Sequence, residues 1–180
     1  MRCKWCNLEN NLYVSYHDNE WGKLQTDDRY LFEMLVLESF QAGLSWECIL
    51  NKRHNFREAY DNFDFVKVSK YGDKKINELM QDKGIVRNKL KIKASVVNAK
   101  IFIDIKNEYG SFYDYLKSFA GDKVIYETDM VTSNLSDNIS NDLQRKGMKF
   151  VGSVIIYSYL QAIGIIISHE KECFLYKNMD

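Results

Sequence analysis

Residues 73–110 read DKKINELMQDKGIVRNKLKIKASVVNAKIFIDIKNEYG. Asp73 is placed to cap a helix through about Asp82, and Gly84 ends it. After the turn Gly84-Ile85-Val86-Arg87-Asn88, a second helix follows, in which Leu90, Ala94, Val97, Ile101 and Ile105 trace one apolar face down to Gly110. Most αα-hairpins contain such a glycine turn, so the turn alone is weak evidence of function. The flank says more. Lys83, Arg87, Lys89, Lys91, Lys93 and Lys100 occur with no Asp or Glu among them. In a chain of formal net charge zero, such a stripe suits contact with phosphate, and a solvated helix face equally well. The N-terminal amides and positive dipole end of the second helix would face an anion.

The same reading extends in both directions. Asp27 or Thr26 caps a helix to about Ala42, stopped by Gly43, and Ser45 caps another from Trp46 to about Arg53. Phe56 and Tyr60 share a face in the next segment. Segments 111–120 and 136–147 are helical, the latter from a cap at Ser136 or Asp137. Alternation of period two is scarce, so the fold class is all-α. With 180 residues, no repeat and no linker, residues 1–180 form one domain. The composition, 46% hydrophobic and 28% charged, is that of a globular chain. There is no proline, so helix stops fall to Gly, Asn and polar turns. From Phe150 to Ile167 no residue is charged, the length of a membrane span. Gly152, Ser153, Ser158, Gln161 and Gly164 dilute the run, and a long, fully buried central helix is the better reading. No charged-then-apolar leader opens the chain, so a cytoplasmic protein without a membrane partner is expected.

Two constellations carry chemistry. His169 and Cys173 are spaced to share one helix face, and Cys3, Cys6 and His17 lie at the other end of the chain. Two ligands from each terminus would complete the tetrahedral N/S set of a structural zinc site. Cys3 and Cys6 form a C-x-x-C knuckle that leaves His17 free, whereas the alternative set is Cys3, His17, His169 and Cys173; spacing leaves both open. Unrelated buried Cys and His are the plain reading. The second constellation is a carboxylate. Leu31, Met34, Leu35, Glu38 and Ala42 fall on one stripe of a helix, with Glu33 pointing to the polar side beside Arg29. A buried Glu38 must be paired, hydrogen-bonded or functional. The turn Gln41-Ala42-Gly43-Leu44-Ser45-Trp46 then brings a flat aromatic near it, as a pocket for a nucleobase with an exocyclic amine requires. Trp46 as ordinary core, and Glu38 satisfied by backbone donors or a tyrosine, are the competing readings.

Assembled in order, these pieces resemble the type I 3-methyladenine DNA glycosylases of the helix-hairpin-helix superfamily. The matching stretches are Arg2-Cys3-x-Trp5, Tyr13-x-x-Tyr16-His17-Asp18-x-Glu20-Trp21-Gly22, Leu31-Phe32-Glu33, Leu37-Glu38 and Gln41 to Trp46. They continue through Gln81-Asp82-x-Gly84-Ile85-Val86-Arg87, Lys149-Phe150-Val151-Gly152 and Tyr157-Ser158-x-x-Gln161-Ala162-x-Gly164 to His169-x-x-x-Cys173. Their collinearity over nearly the whole chain is more specific than any one motif. Leu24 stands where members often have proline, and residues 127–136 match poorly; neither departure is expected to touch the pocket.

The resemblance implies a helix-hairpin-helix at about residues 74–105, gripping DNA through Gly84, Val86, Arg87 and Lys89. It implies a structural zinc ion on Cys3, His17, His169 and Cys173, joining the two termini, with Cys6 an extra thiol. It implies that Glu38, helped by Tyr16, receives the base edge, that Trp46 stacks on the ring, and that Trp5, Tyr13 and Trp21 line the cavity. Leu44, beside Gly43, would fill the gap left by a flipped nucleotide. The activity implied is removal of 3-methyladenine from double-stranded alkylated DNA by a monomer without a nucleotide cofactor. Glu38, the one catalytic candidate, serves recognition first and electrostatic assistance second. A non-catalytic binder of damaged DNA and a purely structural zinc module are the rival classes.

Overall fold

In a computed structural model, residues 1–122 and 124–177 are described. Among these the chain is mostly helical, in the order α1 (Asn11–Asn19), α2 (Asp28–Gln41), α3 (Trp46–Ala59), α4 (Phe65–Val68), α5 (Asp73–Gln81), α6 (Lys89–Tyr109), α7 (Phe112–Ala120), α8 (Asn134–Arg145) and α9 (Ser153–Ala162). Side chains start these helices: Asn10, Asp27, Ser45, Asn88, Ser111 and Ser133 each accept hydrogen bonds from amides of the first turn. A two-stranded parallel sheet pairs β1 (Ile125–Tyr126) with β2 (Ile166–Ile167), which helical periodicity did not announce.

Helix α2 is the axis, with every residue from Leu31 to Phe40 buried. It packs against α3, α6, α7 and α9, so it is apolar nearly all round, as a central helix must be. Of the expected polar side, Arg29 is exposed but Glu33 is not. Glu33 is buried, and its carboxylate accepts from Arg53 Nε at 2.6 Å and from Arg57 Nε at 2.9 Å.

Several expected bounds change. The helix expected to stop at Arg53 continues to Ala59, Asp73 is the first residue of α5 rather than its cap, and α8 starts from Ser133. The apolar run 150–167 is not one long helix. It is α9, a turn at Gly164 and β2. No helix among the described residues is long and apolar enough to cross a membrane.

Gly164 has φ +76°, and a Cβ there would run into the backbone of Lys23 and Leu24. That contact docks the loop after Trp21 onto the end of α9, where Gly22 N donates to Gln161 O at 3.0 Å and Gln25 N to Ile163 O at 2.9 Å. Gly164→Ala combines left-handed strain with overpacking, about 2–4 kcal/mol together. Thermal denaturation should show Tm lowered by about 5–15 °C; an unchanged Tm would mean that the loop yields freely.

The buried face of α6 also differs from the expected one. Of that expected face, Ala94 and Ile105 are buried and Ile101 packs half-buried on the core, but Leu90 and Val97 are exposed, and Lys91, Ile92, Ser95, Asn98, Ala99 and Phe102 face inward. Polar groups are buried there because they bond to backbone. Asn98 Nδ2 donates to Lys149 O and Asn98 Oδ1 accepts from Lys149 N, both at 2.9 Å.

Candidate active site

Helix α1, the C-terminal end of α2 and the start of α3 line one cavity of about 680 Å³, together with α9 and the residues that follow β1 and β2. Trp5, Tyr13, Tyr16, Trp21, Glu38 and Trp46 all line it. The structure thus brings together every pocket residue expected from the sequence. Trp5 lies between Tyr13 and Trp21, with ring centroids 5.3 and 4.8 Å away, and Tyr16 packs against Trp46 at 5.2 Å.

Two orphaned atoms mark the floor. Glu38 Oε2 and Trp46 Nε1 are buried and, among the described residues, without hydrogen-bond partners. Burial with no compensating charge pushes the Glu38 carboxyl up from its ordinary 4.5 to about 8. Burial likewise holds the Tyr16 hydroxyl well above its usual range, so it stays a neutral donor. An acid and an indole N–H without partners cost stability unless a ligand meets them.

Much of the remaining lining is polar and includes Gln41, Thr128, Asp129, Ser158, Gln161 and Ser168. None of these carries an expected role, although Ser158, Gln161 and Gln41 stand inside matched motifs. Thr128 and Asp129 belong to the segment that matches poorly and was expected to stay clear of the pocket. They line it because Glu127 N donates to Ile167 O, which draws the strand end of that segment to the cavity rim.

Against this cavity sits a cluster of Cys3, His17, His169 and Cys173, all buried, with candidate ligand atoms within 4.8 Å of one another, an arrangement that could hold a metal ion. Cys6 is not in it. Cys173 Sγ is 3.5 Å from His17 Nε2 and 3.7 Å from His169 Nδ1, and Cys3 Sγ is 3.6 Å from His169 Nδ1. His17 Nε2 accepts from Cys3 N at 3.3 Å, and Nδ1 faces Asp18 Oδ1 at 2.8 Å, so the ring proton resides on Nδ1. Arg2, bonded to Asp18 at 2.7 Å, holds that carboxyl at about 2. Burial lowers His169 to about 4, leaving a neutral imidazole. The amides of Glu170 and Leu175 point at the two sulfurs, at 3.4 and 3.5 Å. The cluster also touches the pocket, with His17 5.2 Å from Trp5 and His169 4.7 Å from Trp21. Loss of a metal held there would therefore disturb the pocket wall at Trp5 and Trp21.

The DNA-facing candidates lie outside the cavity mouth. Leu44 is 42% exposed on the turn between α2 and α3, beside Gly43 at φ +82°. Arg87 and Lys89 are exposed, Gly84 and Val86 half-buried, and Ile85 anchors the turn from beneath. The first amides of α6 are not open to an anion as expected, because Asn88 Oδ1 accepts from Leu90 N and Lys91 N. An anion would meet the turn and its basic side chains instead.

A family model described as methyladenine glycosylase matches residues 5–176. The chain is 39% identical over 181 residues to DNA-3-methyladenine glycosylase 1 of Escherichia coli (strain K12), with 97% of this chain and 96% of the relative covered. A crystal structure of 3-methyladenine DNA glycosylase I (TAG) matches with a TM-score of 0.94 at 36% identity, covering 98% of this chain and 100% of that one. A second, of 3-methyladenine DNA glycosylase I from Staphylococcus aureus, is described as the structural basis of 3-methyladenine recognition. It matches with a TM-score of 0.92 at 31% identity over 100% of both chains.

Proposed function

The chain belongs to the methyladenine glycosylase family and is a DNA N-glycosylase, and on that premise we propose that it flips 3-methyladenine out of alkylated duplex DNA and hydrolyses its glycosidic bond. The observation that carries this reading is the pair of orphaned atoms, Glu38 Oε2 and Trp46 Nε1, at the floor of an aromatic cavity. A base with an exocyclic amine supplies the donor that Glu38 lacks, and its ring gives Trp46 and Tyr16 a face to stack on.

Methylation at N3 leaves the adenine ring of the nucleotide cationic. The C1′–N9 bond breaks with its electron pair moving to the base, which leaves neutral. Water forms the new bond to C1′ and gives up a proton, producing an abasic site. The charge makes the base a good leaving group, so the site needs to extract, orient and hold it rather than supply a strong acid. Aromatic faces attract a cation, and the ionised Glu38 complements it. Neutral adenine forfeits both gains and leaves the carboxylate buried without a counter-charge.

Leu44 is the residue that enters the gap left in the duplex. The α5–turn–α6 unit serves as a helix-hairpin-helix, with Gly84, Val86, Arg87 and Lys89 gripping a phosphate. The four-residue Cys/His cluster suits structural zinc. Tetrahedral bonds of about 2.3 Å to sulfur and 2.0 Å to nitrogen would place S and N about 3.5 Å apart, close to the 3.5–3.7 Å found. The Asp18–His17 contact is the outer-sphere bond such ligands make. The zinc would hold the two chain ends together and take no part in the reaction.

The test is to incubate the protein with duplex DNA treated with a methylating agent and identify released bases by chromatography. Free 3-methyladenine is expected, without 7-methylguanine, which carries an acceptor oxygen where adenine carries the amine that meets Glu38. Lesion-dependent binding with no released base would move the assignment to a damage-binding protein.

A further inference from the structure

One buried lysine joins the two turns that face DNA. Lys91 stands in the first turn of α6, where its amide donates to Asn88 Oδ1 at 3.2 Å. Its ammonium leaves the basic stripe, where Lys83, Arg87, Lys89 and Lys93 are exposed, and reaches the end of α2. There it donates to Phe40 O at 2.8 Å and to Ala42 O at 2.5 Å, Ala42 being the residue directly before Gly43. Lys91 is 7% exposed, with the ring of Phe150 5.9 Å from its ammonium.

The last carbonyls of a helix have no partner within it, and a cation at that end also complements the dipole. Lys91 meets both needs. On the other side, Lys52 Nζ donates to Gly84 O at 3.4 Å and Asn55 Nδ2 to the same oxygen at 3.3 Å. Both residues belong to α3, the helix that opens with Trp46. A circuit results. The 84–88 turn is tied through α3 to the base-stacking tryptophan, and through Lys91 to the base of the Leu44 turn. Gly43 needs that tie, because it sits at φ +82° and a Cβ there would meet nothing within 4 Å. Without the ammonium, the segment carrying Leu44 would pivot on an unbraced glycine.

We propose that Lys91 is a positioning residue that couples grip on the DNA backbone at the 84–88 turn to insertion of Leu44 into the duplex. The inference rests on the reading of Leu44 as the gap-filling residue. A hydrophobic wedge replaces a flipped base only if its backbone resists the closing stack, and two charge-assisted bonds to carbonyls at the end of α2 supply that resistance.

Lys91→Met, Lys91→Arg and Leu44→Ala are compared with the wild type under single turnover on methylated duplex DNA. Affinity for free 3-methyladenine is read in parallel from tryptophan fluorescence. Lys91→Met should lower the rate constant for base release at least about tenfold at saturating enzyme. The half-saturating concentration and the free-base affinity should stay within about twofold. Lys91→Arg, which keeps donors for the two carbonyls, should recover most of the rate. Lys91→Gln is read the same way should the methionine variant fail to fold. Wild-type rates in Lys91→Met or Lys91→Gln, with a slowed Leu44→Ala, overturn the coupling and leave the wedge standing. A wild-type rate in Leu44→Ala removes the wedge reading and the coupling with it. A parallel loss of free-base affinity in the Lys91 variants also overturns the proposal, since the lysine would then support the fold alone.

Discussion

Glu38→Gln is expected to slow release of 3-methyladenine from duplex DNA by about two to three orders of magnitude, with the metal retained. The amide keeps the shape of the carboxyl and an acceptor oxygen but not the charge. What is lost is therefore the attraction between a buried carboxylate and a cationic ring, in a cavity where little water screens it. The same variant should be the more stable protein at alkaline pH. The folded carboxyl titrates at about 8 against an ordinary 4.5, so between those values the native state binds a proton that the unfolded chain has released. Stability conferred by the protonated form is complete below about 4.5, falls as pH rises through that window, and is gone above about 8. Glutamine has no such loss, and above pH 8 the gain over wild type is of order 2–5 kcal/mol. Denaturant titrations at pH 6 and 9 measure it. Slow excision without the alkaline gain would mean that Glu38 is less buried in solution, and unchanged excision would remove it from the site.

The second large effect concerns the metal. Adding a chelator, or changing Cys173 to Ser, should lower Tm by about 10–20 °C. Cys3 and Cys173 lie at opposite ends of the sequence, and closing so long a loop restricts the unfolded chain by about 5 kcal/mol. Few tertiary bonds otherwise hold the chain start, among them Phe174 N to Met1 O at 2.8 Å and Lys4 N to Glu170 Oε2 at 2.9 Å. Affinity for free 3-methyladenine should weaken before global unfolding, because Trp5 and Trp21 pack on His17 and His169. Scanning calorimetry with and without chelator, beside fluorescence titration with the base, separates the two effects. Equal melting temperatures would show that the cluster is not a metal tether.

What was legible in the sequence follows from the range over which each residue acts. Caps such as Asp27 and Ser45, and the stop at Gly110, work within one helical turn, so α2, α3 and α6 could be placed from local pattern. Glu38 was legible because a lone acid interrupted an apolar stripe. Glu33 was misread because its counter-charges, Arg53 and Arg57, come from another helix. The inward face of α6 was misread for a similar reason. Asn98 and Lys91 look solvent-bound in sequence and become interior once they find backbone at Lys149, Phe40 and Ala42. The polar cavity wall at Thr128, Asp129 and Ser168 was invisible because it is assembled by pairing of β1 and β2, two-residue strands far apart in the chain. Spacing alone could not choose between Cys6 and His17 as ligand. The geometry brings His17 into the cluster and leaves Cys6 out.

Selection of a cationic base by an ionised Glu38 should be visible in the pH dependence of kcat/KM for 3-methyladenine release. That quantity reports ionisation of the free enzyme. With the carboxyl at about 8, kcat/KM should climb about tenfold per pH unit below that value and level off above it, and the climb should vanish in Glu38→Gln. A profile that falls as pH rises through 8 would rule out the ionised carboxylate as the selecting group. The competent form would then be the carboxylic acid, donating a proton to the base rather than meeting its charge.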